Sequence, residues 1–133
     1  MSNIIIYGSH YGTTKQYAKE LSRRTNIEAI SFKNVKEIND YDNIIYLGGL
    51  YAGGVLGMSK TIKKLNNTVN KKIIIVTVGL SDPMDEVNKN NIRNNIKKQV
   101  SKEIFEKAKI FHLRGGIDYS KLNFAHKTMM KLL

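Results

Sequence analysis

The stretch Ile4-Ile5-Ile6-Tyr7-Gly8-Ser9-His10-Tyr11-Gly12-Thr13-Thr14-Lys15 decides the fold. Its first four residues form a continuous apolar run, the pattern of a strand covered on both faces. Its last residues open a helical pattern in which Tyr17, Ala18 and Leu21 share one face. Between them lies a short loop of hydroxyls punctuated by Gly8 and Gly12. Strand, glycine-bearing loop and helix in that order make a phosphate cradle. The loop amides and the first helical amides converge on one point, and the helix dipole favours an anion there. The expectation is a phosphate-bearing ligand held at residues 9–14.

Outward from this stretch the chain alternates strand and helix. A first helix is expected over Thr13–Arg24, with Lys15, Lys19 and Arg23 on its wet side. Strands follow at Ile27–Phe32, at Ile44–Leu47 (closing on Gly48-Gly49), at Ile73–Val78 and at Ile110–Leu113. Val35–Ile38 is at most a short helix. Met58, Ile62 and Leu65 mark another helix. Asp82, Pro83, Asp85 and Glu86 are start signals for a long one. It is expected to run to about Lys107 with Ile92, Ile96, Val100 and Ile104 along one stripe. A last helix over about Tyr119–Leu132 buries Leu122, Ala125, Met129 and Leu132, with Met130 also read as core filling.

Five such units predict an α/β three-layer sandwich, a five-stranded parallel sheet in the order 2-1-3-4-5. Ligands of such sheets sit at the carboxyl ends of the strands, where the order reverses. Glycine-bearing loops follow the first strand (Gly8–Thr14), the third (Gly48–Gly54) and the fourth (Gly79–Asp82). That order makes the three loops neighbours and one site.

The loop chemistry excludes several nucleotide enzymes. A P-loop needs lysine then Ser/Thr after its glycines, and Thr13-Thr14-Lys15 reverses that order. A dinucleotide fingerprint needs closer glycines and an acid ending the second strand, where Phe32-Lys33 stands. A phosphoryl-accepting receiver domain needs an aspartate ending the third strand, and glycines stand there. Hydroxyls and amides without acid or catalytic lysine suit a terminal monophosphate that is held and not transferred.

Composition sets the outer limits. The chain has 133 residues, 41% of them apolar, enough for one core and one domain over residues 1–133. It contains no cysteine, which removes disulfides, thiolate metal sites and thiol nucleophiles. No signal-peptide pattern and no apolar run of membrane-spanning length are present, so the expected location is the cytoplasm. Lys+Arg number 22 against 11 Asp+Glu, a net charge of +11, and residues 89–133 alone carry 11 basic and 3 acidic side chains. Beside a merely solvated lysine-rich surface, this points to an anionic partner: an acidic redox protein or an anionic membrane surface. Nucleic acid ranks last, because no reading motif or aromatic interleaving accompanies the charge.

Taken together, Ser9-x-Tyr11-Gly12-Thr13-Thr14 resembles the phosphate loop of the flavodoxins. Leu50-Tyr51-Ala52-Gly53-Gly54 and Gly79-Leu80-Ser81 resemble their two flavin-ring loops. Arg114-Gly115-Gly116-Ile117-Asp118-Tyr119-Ser120-Lys121-Leu122 is similar to a segment of the flavodoxin-domain branch that includes menaquinone-dependent protoporphyrinogen oxidase. The resemblance covers nearly the whole chain. It implies FMN, with the phosphate at Ser9, Gly12, Thr13 and Thr14 and loop amides of His10 and Tyr11. It places the ring between the loops containing Leu50–Gly54 and Gly79–Ser81. A glycine peptide at Gly53 or Gly54 would flip to accept a hydrogen bond from reduced N5, as glycine permits. It implies electron transfer with a partner protein or a quinone; an oxidase of a porphyrinogen or another two-electron donor is the alternative, and a binding module without flavin the third. No Ser/His/Asp constellation emerges, and none is needed where the flavin carries the chemistry.

Two departures stand out. Gly79-Leu80-Ser81 offers no aromatic ring, so Tyr51 is expected to cover one flavin face and leave the other open. Electron-carrying flavodoxins are typically acidic; a +11 chain favours the anionic reduced flavin, which argues against a very low potential. His10 could add a donor to the phosphate, although a solvated histidine is the plainer reading. His112 is read as structural, and His126 as a helix-surface residue.

Overall fold

A computed structural model describes residues 2–9, 12–51, 54–66, 68–79, 86–114 and 119–132. Strands β1 (Asn3–Gly8), β2 (Ala29–Ser31), β3 (Asn43–Tyr51), β4 (Gly54–Val55), β5 (Lys72–Gly79) and β6 (Lys109–Arg114) alternate with helices α1 (Thr13–Thr25), α2 (Met58–Ile62), α3 (Glu86–Gln99), α4 (Lys102–Lys107) and α5 (Tyr119–Leu132). The sheet runs β2-β1-β3-β5-β6, with β4 paired antiparallel to β3 alone. The five long-path strands are parallel, so the expected order 2-1-3-4-5 is the observed one.

The apolar runs are continuous because each strand is covered twice. Ile4, Ile6, Ile44, Tyr46, Ile73 and Ile75 face α2, α3 and α4. The intervening Ile5, Ile45, Leu47, Ile74 and Val76 face α1 and α5. Two-residue alternation sends neighbours to opposite layers, and both layers are dry. On α1 the expected face, Tyr17, Ala18 and Leu21, is buried. On α5, Leu122 and Met129 are buried; Ala125 and Leu132 lie outside the described side chains.

Several expectations need correction. The long helix is two, because Ser101 turns extended and its Oγ accepts from the Ile104 amide at 3.2 Å, starting α4 afresh. A serine within a helical pattern competes for the backbone and here wins as a cap. The stripe nevertheless survives the break: Ile92, Ile96 and Ile104 are buried, and Val100 is partly so. The helix at Met58 ends at Ile62 and tightens into short-range turns through Leu65. Residues 35–37 are non-helical between two 3-10 turns, Phe32–Asn34 and Ile38–Asp40. Met130 is 51% exposed and fills no core. His126 is half-buried, while His112 Nδ1 lies 2.7 Å from Thr77 Oγ1, a structural contact.

The largest difference is the third strand. It does not stop at Gly48-Gly49 but continues to Tyr51 and is then joined by β4, with Leu50 opposite Val55 and Tyr51 opposite Gly54. Glycine makes that return path possible. A Cβ on Gly48 would stand 2.0 Å from Val55 Cγ1, and one on Gly8 would stand 2.1 Å from the Leu56 carbonyl oxygen. The same carbonyl accepts the Tyr46 hydroxyl at 2.5 Å. Burial pushes the Tyr46 hydroxyl well above the usual phenol range, so it stays a donor at any physiological pH.

Two outcomes follow from this packing. Gly8→Ala should cost about 2 kcal/mol or more, read as a lowered urea midpoint, because backbone and not a flexible side chain must move. On α1, hydrogen bonds from Arg23 and Arg24 hold the Glu20 carboxyl down at about 2. Its contribution is therefore present above the ordinary value of 4.5 and fades as pH falls toward 2. Glu20→Gln should melt below the parent at neutral pH, and the difference should vanish near pH 2.

Candidate functional site

The carboxyl ends of β1, β3 and β5 lie side by side, in register. Gly8 pairs with Gly48, Gly48 with Thr77, and Gly79 with Arg114. The three glycine-bearing loops therefore leave the sheet at one edge, as the sequence order implied. Because Arg114 is opposite Gly79, the Arg114–Leu122 segment leaves from that edge too.

The first loop is closed on itself. The Gly12 amide donates to Ser9 Oγ at 2.9 Å. Gly12 is the N-cap of α1 in the left-handed conformation (φ 93°), which glycine adopts without Cβ strain. No side chain caps the helix, and its first turn holds no acid. The helical ladder begins only with Gln16 N–H to the Gly12 carbonyl at 3.0 Å. Among the described residues other than its chain neighbours, nothing lies within 4 Å of the position a Gly12 Cβ would take. Helix amides without a described side-chain cap, positive by the helix dipole, suit a phosphate.

The expected ligand hydroxyls differ in setting. Ser9 and Thr13 are half-exposed at the loop, whereas Thr14 is only 4% exposed. Its hydroxyl stands 3.2 Å from where a Gly49 Cβ would be, so it ties α1 to the end of β3. Ser9 Oγ accepts from Gly12 and keeps its own proton to donate.

The second loop is the β3–β4 hairpin. Leu50 leans across to β5: a Gly79 Cβ would be 2.6 Å from Leu50 Cδ1. Leu50 thus joins the second and third loops and is partly buried against the core on the α2–α4 side. Tyr51 contributes a backbone pair to Gly54. The Tyr51 side chain, and all of His10, Tyr11, Ala52, Gly53, Leu80 and Ser81, lie outside the described residues.

Sequence reasoning missed the residue that holds the hairpin. Gln99, the last residue of α3, accepts the Val55 amide at 2.7 Å and donates to the Val55 carbonyl at 3.2 Å. Its carboxamide pairs with the free side of β4 as a neighbouring strand would. It also lies flat on Gly54, 3.2 Å from where a Cβ would stand. No local signal announces a partner 44 residues away. The serine cap at 101, which stops α3 at Gln99, was the nearest thing to one.

Comparison with known proteins bears on this geometry. A profile described as Flavodoxin domain matches residues 4–133. No curated protein matches the sequence. Among solved structures, the Fusobacterium nucleatum flavodoxin bound to flavin mononucleotide is similar with a TM-score of 0.68 at 15% identity. That match covers 100% of this chain and 99% of that one. Oxidised flavodoxin 1 of Bacillus cereus matches at 0.63 with 16% identity, covering 96% and 94% of the two chains. Flavodoxin 2 of the same organism matches at 0.66 with 14% identity over all of both. The matched profile spans nearly every residue from β1 onward, and the chain belongs to the flavodoxin domain family.

Proposed function

We propose that the protein binds FMN at the carboxyl edge of its sheet and passes electrons between the flavin and a partner protein. The N-terminus of α1, with no described side-chain cap and no acid in its first turn, is the observation that carries this reading. Such a terminus fits a phosphate. Ser9, Thr13 and the first amides of α1 bind the phosphate, while Thr14 holds the helix against β3. His10 and Tyr11 complete the loop. Tyr51, Ala52, Gly53 and Gly54 border one face of the ring, and Gly79, Leu80 and Ser81 the other. Leu50 sets the spacing between these two loops through its packing over Gly79. When bound, FMN accepts and returns the electrons; the chain's work is to bind and orient it and to keep water from its buried edge. Membership of the flavodoxin domain family supports the reading, as does the similarity to the Fusobacterium nucleatum flavodoxin bound to flavin mononucleotide.

A second reading is an oxidase that takes electrons from a porphyrinogen-like donor and gives them to a quinone. Its support is the Arg114–Leu122 segment, which starts in register with Gly79 at the same edge. Turnover of such a donor with a menaquinone separates it from a carrier, which exchanges electrons with a partner and shows no turnover.

Flavin titrations test the two halves of the site separately. Gly12→Ala should weaken FMN by roughly 5- to 30-fold, the strain of a left-handed non-glycine residue, while riboflavin, lacking the phosphate, is unaffected. Gln99→Ala should weaken both flavins, because the hairpin loses two hydrogen bonds of about 1 kcal/mol each. Gln99→Glu, which still accepts from Val55, should lie between. A parent protein that takes up no added FMN would end the redox reading altogether.

A further inference from the structure

At the opposite end of the sheet, the amino end, a cavity of about 270 Å³ is lined by Lys71, Lys72, Ile73, Ile74, Lys107, Lys109 and Lys131. Among the described residues its lining holds five lysines around two isoleucines and no acid, while Glu103 accepts the hydroxyl of the neighbouring Thr68. Two of them are tied to the fold: Lys71 Nζ donates to the Asn39 and Tyr41 carbonyls at 2.8 and 2.5 Å, and Lys107 Nζ to that of Thr68. Lys72, Lys109 and Lys131 are exposed. Lysines near helix C-termini complement the helix dipole, which accounts for Lys107 and Lys131 singly. It does not account for Lys109, which starts β6 beside them.

Exposed apolar side chains adjoin two of these lysines in the chain. Val69, Phe124 and Met130 are the exposed large hydrophobics among the described residues, at 65%, 67% and 51%. Val69 is in the turn whose Thr68 carbonyl holds Lys107, two residues before Lys71. Met130 adjoins Lys131. Phe124 lies about 10 Å further along α5, seven residues from Lys131 and on the same side. Phe124, Lys127, Met130 and Lys131 fall within roughly 120° of arc at 3.6 residues per turn, opposite the buried Leu122 and Met129. A soluble anion would need the lysines alone. Lysines interleaved with solvent-facing aliphatic and aromatic side chains fit an interface that is anionic at its surface and apolar just beneath.

We propose that this corner, the lysine cavity with Val69 and the last turn of α5, docks on an anionic lipid surface. Lys72 and Gly79 are the two ends of β5, about 23 Å apart at ~3.3 Å per residue. Docking therefore turns the glycine-bearing edge away from the lipid, toward a partner in solution. The proposal rests on charge and exposure at the amino end and not on flavin binding.

Co-sedimentation with vesicles tests it. The parent should bind vesicles containing phosphatidylglycerol and not those of phosphatidylcholine alone, with affinity falling as salt rises. Lys109→Gln/Lys131→Gln should weaken binding about 25-fold, roughly fivefold per lysine. Lys60→Gln/Lys63→Gln, two exposed charges on and just after α2, is the matched control and should change it far less. Val69→Ser/Met130→Ser should weaken binding even at low salt. Circular dichroism confirms that each variant is folded. Equal binding to both vesicle types, or equal losses from the two lysine pairs, overturns the proposal. So does an unaffected Val69→Ser/Met130→Ser variant whose binding is fully displaced by inositol hexakisphosphate, since the cavity would then be a site for soluble phosphates.

Discussion

The Leu56 carbonyl is the point on which the candidate site depends. It occupies the space that a Cβ on Gly8 would fill, and it accepts the hydroxyl of Tyr46 from the neighbouring strand. Because Gly8 has no side chain, the chain returning from the β3–β4 hairpin can lie directly over the end of β1. Because Tyr46 is buried and stays protonated, the carbonyl is not left unpaired, which would cost about 1–3 kcal/mol. The same return path places Val55 against Gly48, and Leu56 N–H on the Gly49 carbonyl at 2.9 Å. Loop and strand ends thus form one packed unit, and the first loop, which starts at Ser9, inherits its position from it.

Two side chains from other elements complete that unit. Thr14 reaches from α1 to Gly49, and Gln99 reaches from α3 to both sides of Val55. Each comes from a helix on a different face of the sheet, so the carboxyl edge is gripped from both layers. The first loop is anchored by backbone geometry, and the second by a hairpin whose outer strand has only two residues and pairs with Gln99.

The two ends of the sheet differ in kind. The described part of the carboxyl edge gathers glycines, hydroxyls and amides, with Arg114 at the end of β6 and positive potential added by a helix terminus. The amino edge gathers whole charges, Lys71, Lys72, Lys107, Lys109 and Lys131, beside exposed apolar side chains. Most of the net charge of +11 lies in residues 89–133, and parallel strands and antiparallel helices bring Lys107, Lys109 and Lys131 of that stretch to one pole beside Lys71 and Lys72. Lysines up to 60 residues apart in the chain thus meet in the fold.

Much of this was legible in the residues themselves. Ile4–Tyr7, Ile44–Leu47 and Ile73–Val78 could only be strands covered twice, and α5 runs over the expected Tyr119–Leu132. Strand order, and with it the meeting of three loops, followed from the alternation of elements. Local pattern failed where a long-range partner outweighed it. Gly48-Gly49 reads as a strand end, yet β3 continues because β4 returns to pair with it; Val100 continues a helical stripe, yet Ser101 breaks the helix. Gln99 had no local signature, since its role exists only once α3 lies beside Val55. Met130 resembled its buried neighbour Met129 in sequence, and 100° of helical rotation put it in solvent. The sequence by itself determined the fold, the position of the first glycine-bearing loop and the excess of positive charge, because periodicity, glycine and residue type act locally. Only the tertiary structure decided what clamps the hairpin and where the lysines gather, because both depend on contacts between residues distant in the chain.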